Sequence, residues 1–198
     1  MDLLMATSPK KQLVWQRIRA LAAKDAENTV GALFEMSVLS PMFEGGCTLQ
    51  EFQPLIPKSR SRAEVRAEIA GQSVYVEATA FTKYDERILE PRAFDFEEEQ
   101  RRGAARIAAK VIEKAEQLKG ADLPVVLFLA LTLGLDRKMV EAGLAQAYLS
   151  GQVDDLSAVV VAPDIDAETI RIYEVPNAHR QLAASAVSLI QKCFDRRS

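Results

Sequence analysis

The stretch Val125-Val126-Leu127-Phe128-Leu129-Ala130-Leu131 is apolar at every position, and this narrows the folds open to the chain more than any other feature. A strand with one face in water alternates polar and apolar side chains. A strand without alternation has both faces covered, as the inner strands of a sheet packed between helices do. The run is also far below the roughly 20 residues a membrane helix requires. It predicts an α/β fold with Val125–Leu131 near the centre of a sheet, and no membrane span.

The neighbouring elements follow from periodicity and punctuation. Leu13, Val14, Ile18 and Leu21 predict a helix over Lys11–Ala23. Asn28 or Thr29 is placed to cap a second helix running to Leu39, ended by Pro41 and Gly45-Gly46. Cys47–Gln53 reads as a strand, and Pro54 and Pro57 mark the loop after it. Tyr84–Arg92 is polar and without period, whereas Phe94–Lys119 places Ile107, Val111, Ala115 and Leu118 on one helix face before Gly120. Beyond the apolar strand come a helix over Arg137–Leu149, strands at Ala158–Val161 and Ile170–Val175, and a last helix from Arg180 to Phe194. There is no internal repeat. The reading is a flexible stretch over residues 1–10 and one domain over 11–198, a length that supports a single well-buried core.

Composition excludes several classes. Two cysteines, Cys47 and Cys193, cannot make a disulfide framework, and one histidine, His179, rules out most zinc constellations. His179 follows Asn177 at a predicted helix start, where turn and capping chemistry explain it. The first ten residues lack the basic start and apolar stretch of a secretory signal, so a reduced cytoplasmic location is expected. No Gly-x-Ser-x-Gly, Walker A or dinucleotide fingerprint is present, which disfavours serine hydrolases, P-loop enzymes and dehydrogenases. With net charge −3 and pI about 5.4, the molecule as a whole does not attract phosphate backbones. Binding to nucleic acid must use a local patch. Two exist: Lys58-Ser59-Arg60-Ser61-Arg62, and Arg102, Arg106, Lys110 and Lys114, which recur every four residues on the long helix. Charge runs of this length are common on ordinary solvated surfaces, which is the favoured explanation of both, and only their proximity to the carboxylates supports a functional one.

The segment from Ala63 to Phe81 carries the chemistry. Val65, Ala67 and Ile69 alternate, then Val74, Val76 and Ala78, with Gly71-Gln72 between them as a glycine-first hairpin loop. If Ala70 pairs with Ser73, Arg66 faces Glu77 and Glu64 faces Thr79, while Glu64 and Glu68 become diagonal neighbours of Glu77. A divalent cation can bridge such carboxylates. A cross-strand Arg66–Glu77 ion pair on a solvated face accounts for the same residues without any metal.

Glu64 and Glu77, thirteen residues apart on consecutive strands, give the segment a spacing that resembles the PD-(D/E)XK nuclease superfamily. With the following elements the order is αβββαβ, the restriction-endonuclease-like core of that superfamily, a mixed sheet flanked by helices and extended here by a C-terminal helix-strand-strand-helix. The tail, Leu156–Val161 followed by Val175-Pro176-Asn177-Ala178-His179-Arg180-Gln181-Leu182, is similar to uncharacterised bacterial proteins with this core. The likeness spans most of residues 29–182. Two positions depart from the pattern: Glu64 stands where an aspartate is usual, and Thr79 where the lysine two residues after the glutamate is usual.

The resemblance implies phosphodiester hydrolysis with Mg²⁺ or Mn²⁺. Glu64 and Glu77 are the implied ligands, with the Ala78 carbonyl and Glu35 of the second helix as further ones; for Glu35 a solvated surface role is the alternative. Thr79 cannot supply an ammonium. Lys83, six residues beyond Glu77 at about 3.3 Å each, lies out of reach along the same strand. Lys110 and Lys114, on the helix over the sheet, are the other sources, and Lys114 is chosen because Gln117 follows one turn later. Arg62, Arg106, Lys110 and Gln117 are the implied nucleic-acid contacts. The alternative is a module that keeps the fold without catalysis and binds nucleic acid, a protein partner or a second copy of itself; Thr79 and the acidic pI favour it.

Overall fold

A computed structural model describes residues 26–59, 61–81, 95–131, 135–163 and 169–195. The expected helix at Lys11–Ala23, the flexible stretch 1–10, the polar segment 84–92, Arg60 and Lys83 lie outside the described residues.

The apolar run forms β4 (Val125–Ala130), all six residues buried, with parallel neighbours on both sides. These are β3 (Gln72–Ala80) and β5 (Ala158–Ala162). Outside them, β2 (Val65–Ile69) and β1 (Thr48–Phe52) extend the sheet antiparallel on one flank, and β6 (Arg171–Glu174) on the other. The spatial order β1-β2-β3-β4-β5-β6 is also the chain order. The helices are α1 (Ala26–Glu44), α2 (Phe96–Gln117), α3 (Arg137–Leu149) and α4 (Ala184–Asp195). The expected mixed α/β core, αβββαβ with an αββα extension, is thus the observed order.

Crossovers of one hand, moving in one direction across a sheet, place their helices on one face. Accordingly α2 and α3, which join β3 to β4 and β4 to β5, share one core with Tyr75, Leu127, Leu129 and Val159. On the opposite face α1 and α4 pack on Val65, Val76, Ala78 and Phe128. Gly103 and Gly143 let α2 and α3 approach closely, because a Cβ at either would collide with Met139 or with Ile107 and the Ala104 carbonyl. Asp95 and Asp136 start these helices by accepting backbone N–H bonds from their first turns. Ser157 is buried between β4 and the segment before α4; its Oγ accepts from Val125 N at 3.0 Å and donates to Arg180 O at 2.6 Å. Among the described residues no helix is long and apolar enough to cross a membrane.

Three local expectations are corrected. The second helix is not capped at Asn28 or Thr29, both of which lie inside it, and does not stop at Leu39: it runs from Ala26 through Pro41 to Glu44. Burial of Val38, Leu39 and Met42 outweighs the single intrahelical bond that Pro41 cannot make, and Gly45 N closes the end on Pro41 O at 2.8 Å. The last helix begins at Ala184 rather than Arg180, with the Gln72 side-chain oxygen accepting from Ala183 N at 2.8 Å. The hairpin turns on Ala70-Gly71, not Gly71-Gln72, so that Ile69 pairs with Gln72 and Arg66 with Tyr75. Both turn residues have positive φ, 50° and 83°, the primed geometry whose twist matches that of the strands. The two registers differ by two residues and send every side chain to the same face, so alternation does not separate them.

Candidate active site

Strand alternation divides β3. Val74, Val76, Ala78 and Ala80 enter the α1/α4 core, while Tyr75, Glu77 and Thr79 face α2. A buried strand surrounded by valine and leucine is a costly place for a carboxylate unless it is paired. Glu77, 4% exposed, is the only charged side chain buried to this degree among the described residues.

Its partner comes from another element. Lys114, in the last turn of α2, reaches down to the sheet and donates to Glu77 Oε1 at 2.8 Å, its own side chain only 16% exposed. The lysine selected from the sequence is therefore brought to the glutamate selected from the sequence. Glu77 Oε2 is buried and accepts no hydrogen bond among the described residues.

Glu64 stands beside this pair. Its backbone N–H donates to Val76 O at 3.1 Å, and the β2–β3 ladder ends one step earlier at Val65↔Val76. Extending that ladder sets position 64, not Arg66, opposite Glu77. Ala63 and Val65 enter opposite cores, so the chain bends through the sheet plane at Glu64 and leaves β3. Val76 turns its carbonyl toward β2, and alternation turns that of Ala78 to the same side, beyond the last β2–β3 pair. The expected cross-strand pair of Arg66 with Glu77 does not form: Arg66 pairs with Glu51 at 3.3 Å, both half-exposed. Glu68 lies opposite Ser73, within the Gln50–Glu68 and Ser73–Gln50 bonds, away from Glu77.

Other selected residues are not brought in. Glu35 rides on α1, whose Phe34 and Val38 pack on the opposite face of the sheet. Among the described residues no three His, Cys, Asp or Glu side chains converge as a metal site. The basic residues are largely engaged locally. Arg62 donates to Gln53 O at 2.7 Å, closing its own loop, and Arg106 lies 5.8 Å over the Phe81 ring. Lys110 and Gln117 both bond Glu113, at 3.1 and 3.3 Å. His179 is not at a helix start; it meets Asp155 at 3.3 Å, and its N–H donates to Asp154 O at 2.7 Å, which ties the segment after β6 to the one before β5.

Two neighbours of the site were not singled out from the sequence. Tyr75 donates to Asp122 Oδ1 at 3.0 Å; burial first, then the Asp122 carboxylate, pushes its phenol up to about 12, so it is a neutral donor at ordinary pH. Its place two residues before Glu77 on the same face was the available signal. Ser59 donates to Gln117 O at 3.3 Å, at the end of α2, one turn beyond Lys114 in the helix. That contact spans 58 positions and has no sequence signature.

The residues fit a small divalent cation in a limited way. Mg²⁺ accepts one or two carboxylates and keeps several waters; Glu77 Oε2, buried and accepting no hydrogen bond among the described residues, is one such group, and Glu64, one position beyond the last β2–β3 pair, is the candidate second. They do not form a closed cage of protein ligands.

No protein-family model matches the chain, and no curated protein matches it either. Among solved structures it is similar to Pyrococcus furiosus SfsA in complex with Ca²⁺, at 17% identity and a TM-score of 0.27. The likeness covers 74% of this chain, which spans 60% of the SfsA chain. It is too slight to carry a site or an activity from one protein to the other.

Proposed function

We propose that this chain hydrolyses phosphodiester bonds of DNA or RNA with Mg²⁺ or Mn²⁺ held by Glu64 and Glu77. The observation that carries the reading is the buried Glu77–Lys114 pair beside the point where β2 leaves β3. It supplies the glutamate and the ammonium of the PD-(D/E)XK pattern, the latter from α2 in place of Thr79. A bound cation would polarise the phosphate and lower the pKa of the attacking water. Glu77 and Glu64 would hold that cation and accept hydrogen bonds from its bound water, the phosphate being engaged by the cation and not by the carboxylates. Lys114 offsets the negative charge that grows on phosphorus oxygens as the water oxygen, its proton released to solvent, bonds to phosphorus and the bond to the leaving oxygen breaks, that oxygen taking up a proton from solvent. Arg62, Arg106, Lys110 and Gln117 are proposed as backbone contacts once substrate competes for their present partners.

The test is cleavage of labelled DNA and RNA with Mg²⁺ or Mn²⁺, together with cation-induced thermal stabilisation. Glu77→Gln should abolish both. Lys114→Ala should lower turnover by roughly 10²–10³ while cation binding persists, and Lys119→Ala, whose ammonium meets only exposed Glu116, should do little. Thr79→Lys should recover part of the Lys114→Ala loss. A second reading is favoured by the local pairing of the basic residues: a catalytically silent module binding nucleic acid or a protein partner. Absence of cleavage in the parent and in Thr79→Lys, with no cation response, selects it.

A further inference from the structure

We infer that the Lys114 ammonium is the resident counter-cation of Glu77, and that a divalent cation loads this site against it, so that Lys114 sets how tightly the site holds metal. The inference rests on reading Glu77 as a metal ligand. It goes beyond the role of a lysine that steadies the transition state, because it concerns the protein before substrate arrives.

Three observations support it. First, the pair is nearly sealed, with side-chain exposures of 6% for Glu77 and 16% for Lys114, so water screens little of the charge on either group. Second, the ammonium occupies one oxygen of the carboxylate at 2.8 Å, while the other oxygen of the same group is buried and accepts no hydrogen bond among the described residues. A cation arriving on Oε2 at about 2.0–2.1 Å shares one carboxylate with an ammonium already in place. Third, cationic side chains of β2, of α2 and of the turn after it have anionic partners of their own: Arg66 with Glu51, Arg102 with Glu98, Lys110 with Glu113 and Lys119 with Glu116. Lys114 is the one whose partner is Glu77. Two positive groups on one desolvated carboxylate repel, and loading is eased if Lys114 swings off Oε1. Its four-carbon stem allows that movement, and it would free the ammonium for a substrate phosphate.

The experiment is Mn²⁺ titration of the full chain, by calorimetry and by thermal unfolding, for the parent, Lys114→Met, Lys114→Gln and Glu77→Gln. Without metal, Lys114→Met should unfold at lower temperature than the parent. Mn²⁺ should then bind it about tenfold more tightly and return part of the lost unfolding temperature, a larger shift than in the parent. Glu77→Gln should not respond. If Lys114→Met fails to fold without metal, Lys114→Gln carries the comparison, because it keeps a donor for Oε1 without the charge. Equal or weaker Mn²⁺ binding in the folded Lys114 variants, with a responsive parent and a silent Glu77→Gln, overturns the inference and leaves the metal reading standing. No response in any variant, or an undiminished one in Glu77→Gln, removes Glu77 as a ligand and the inference with it.

Discussion

The two halves of the Glu77–Lys114 pair should not be equally costly to lose, and burial sets the difference. Lys114→Ala strands a carboxylate that is 4% exposed among the side chains of β3, β4 and α2. Removing one partner of a buried ion pair costs about 3–5 kcal/mol, because the remaining charge has nowhere to go. Glu77→Gln leaves the ammonium instead, on a side chain that is 16% exposed and can straighten toward water, while the new amide oxygen still accepts a hydrogen bond. That loss should be about 1–2 kcal/mol, the scale of a weakened charge-assisted bond. Urea unfolding in chelator-containing buffer measures both, provided the slope against denaturant is unchanged between variants. Lys114→Ala should therefore be the less stable by about 1–4 kcal/mol, the difference between those two losses. Equal losses, or a greater loss in Glu77→Gln, would refute the claim that the carboxylate is the more deeply committed partner.

Three further outcomes test the scaffold. Ala70 sits at φ 50° in the hairpin turn, a conformation costly for a residue with a Cβ, so Ala70→Gly should raise thermal stability, by about 0.5–1 kcal/mol. Ser157→Ala leaves Val125 N without its acceptor in the core and should cost about 1–3 kcal/mol in denaturant unfolding. The Met139 N–H bond, assisted by Gln100, holds the Asp136 carboxyl below its ordinary range. Its folded pKa is thus below the unfolded one, and its stabilising contribution is present above the unfolded value of about 3.9 and lost as pH falls through the folded value. Asp136→Ala should be less stable than the parent at pH 7, and the gap should close below about pH 4.

What the sequence made legible is what local chemistry decides. Uninterrupted burial identified β4, and alternation assigned faces along β2 and β3. The side of α2 that meets the core followed from Ile107, Val111 and Ala115. The hairpin register did not follow, because a two-residue shift preserves every face and both Ala70-Gly71 and a glycine-first Gly71-Gln72 loop are primed turns that suit the strand twist. Nor did the position of Glu35. That depends on which face of the sheet receives α1, a matter of tertiary packing with no mark in the residues around it. His179 belongs to the same class, since its partner Asp155 lies 24 positions away. Lys114 could be named because α2 must cover β3 for its own apolar face to be buried, although Gln117, the residue that singled it out, bonds Glu113 and not the pair. Distance along the chain, 37 residues, was then no obstacle.

A buried ion pair is seldom kept for stability alone. Desolvating both groups offsets most of their attraction, and well-packed apolar replacements of similar volume are often neutral or more stable by about 1–4 kcal/mol. The pair here lies in a core made mostly of valine, leucine, alanine and isoleucine, with Tyr75, Phe81 and Met139, where apolar side chains would pack without penalty. This gives a test of whether Glu77 and Lys114 serve the fold or the site. The double variant Glu77→Leu with Lys114→Met should recover most of the stability lost in Lys114→Ala and reach or exceed the parent in urea unfolding, while losing any Mn²⁺ response. That result means the charges are retained against the interest of stability, as an active or binding site requires. If the double variant is instead about 3 kcal/mol or more below the parent, on the scale of a broken buried pair, the pair holds α2 onto the sheet. The glutamate and lysine then need no function beyond that one.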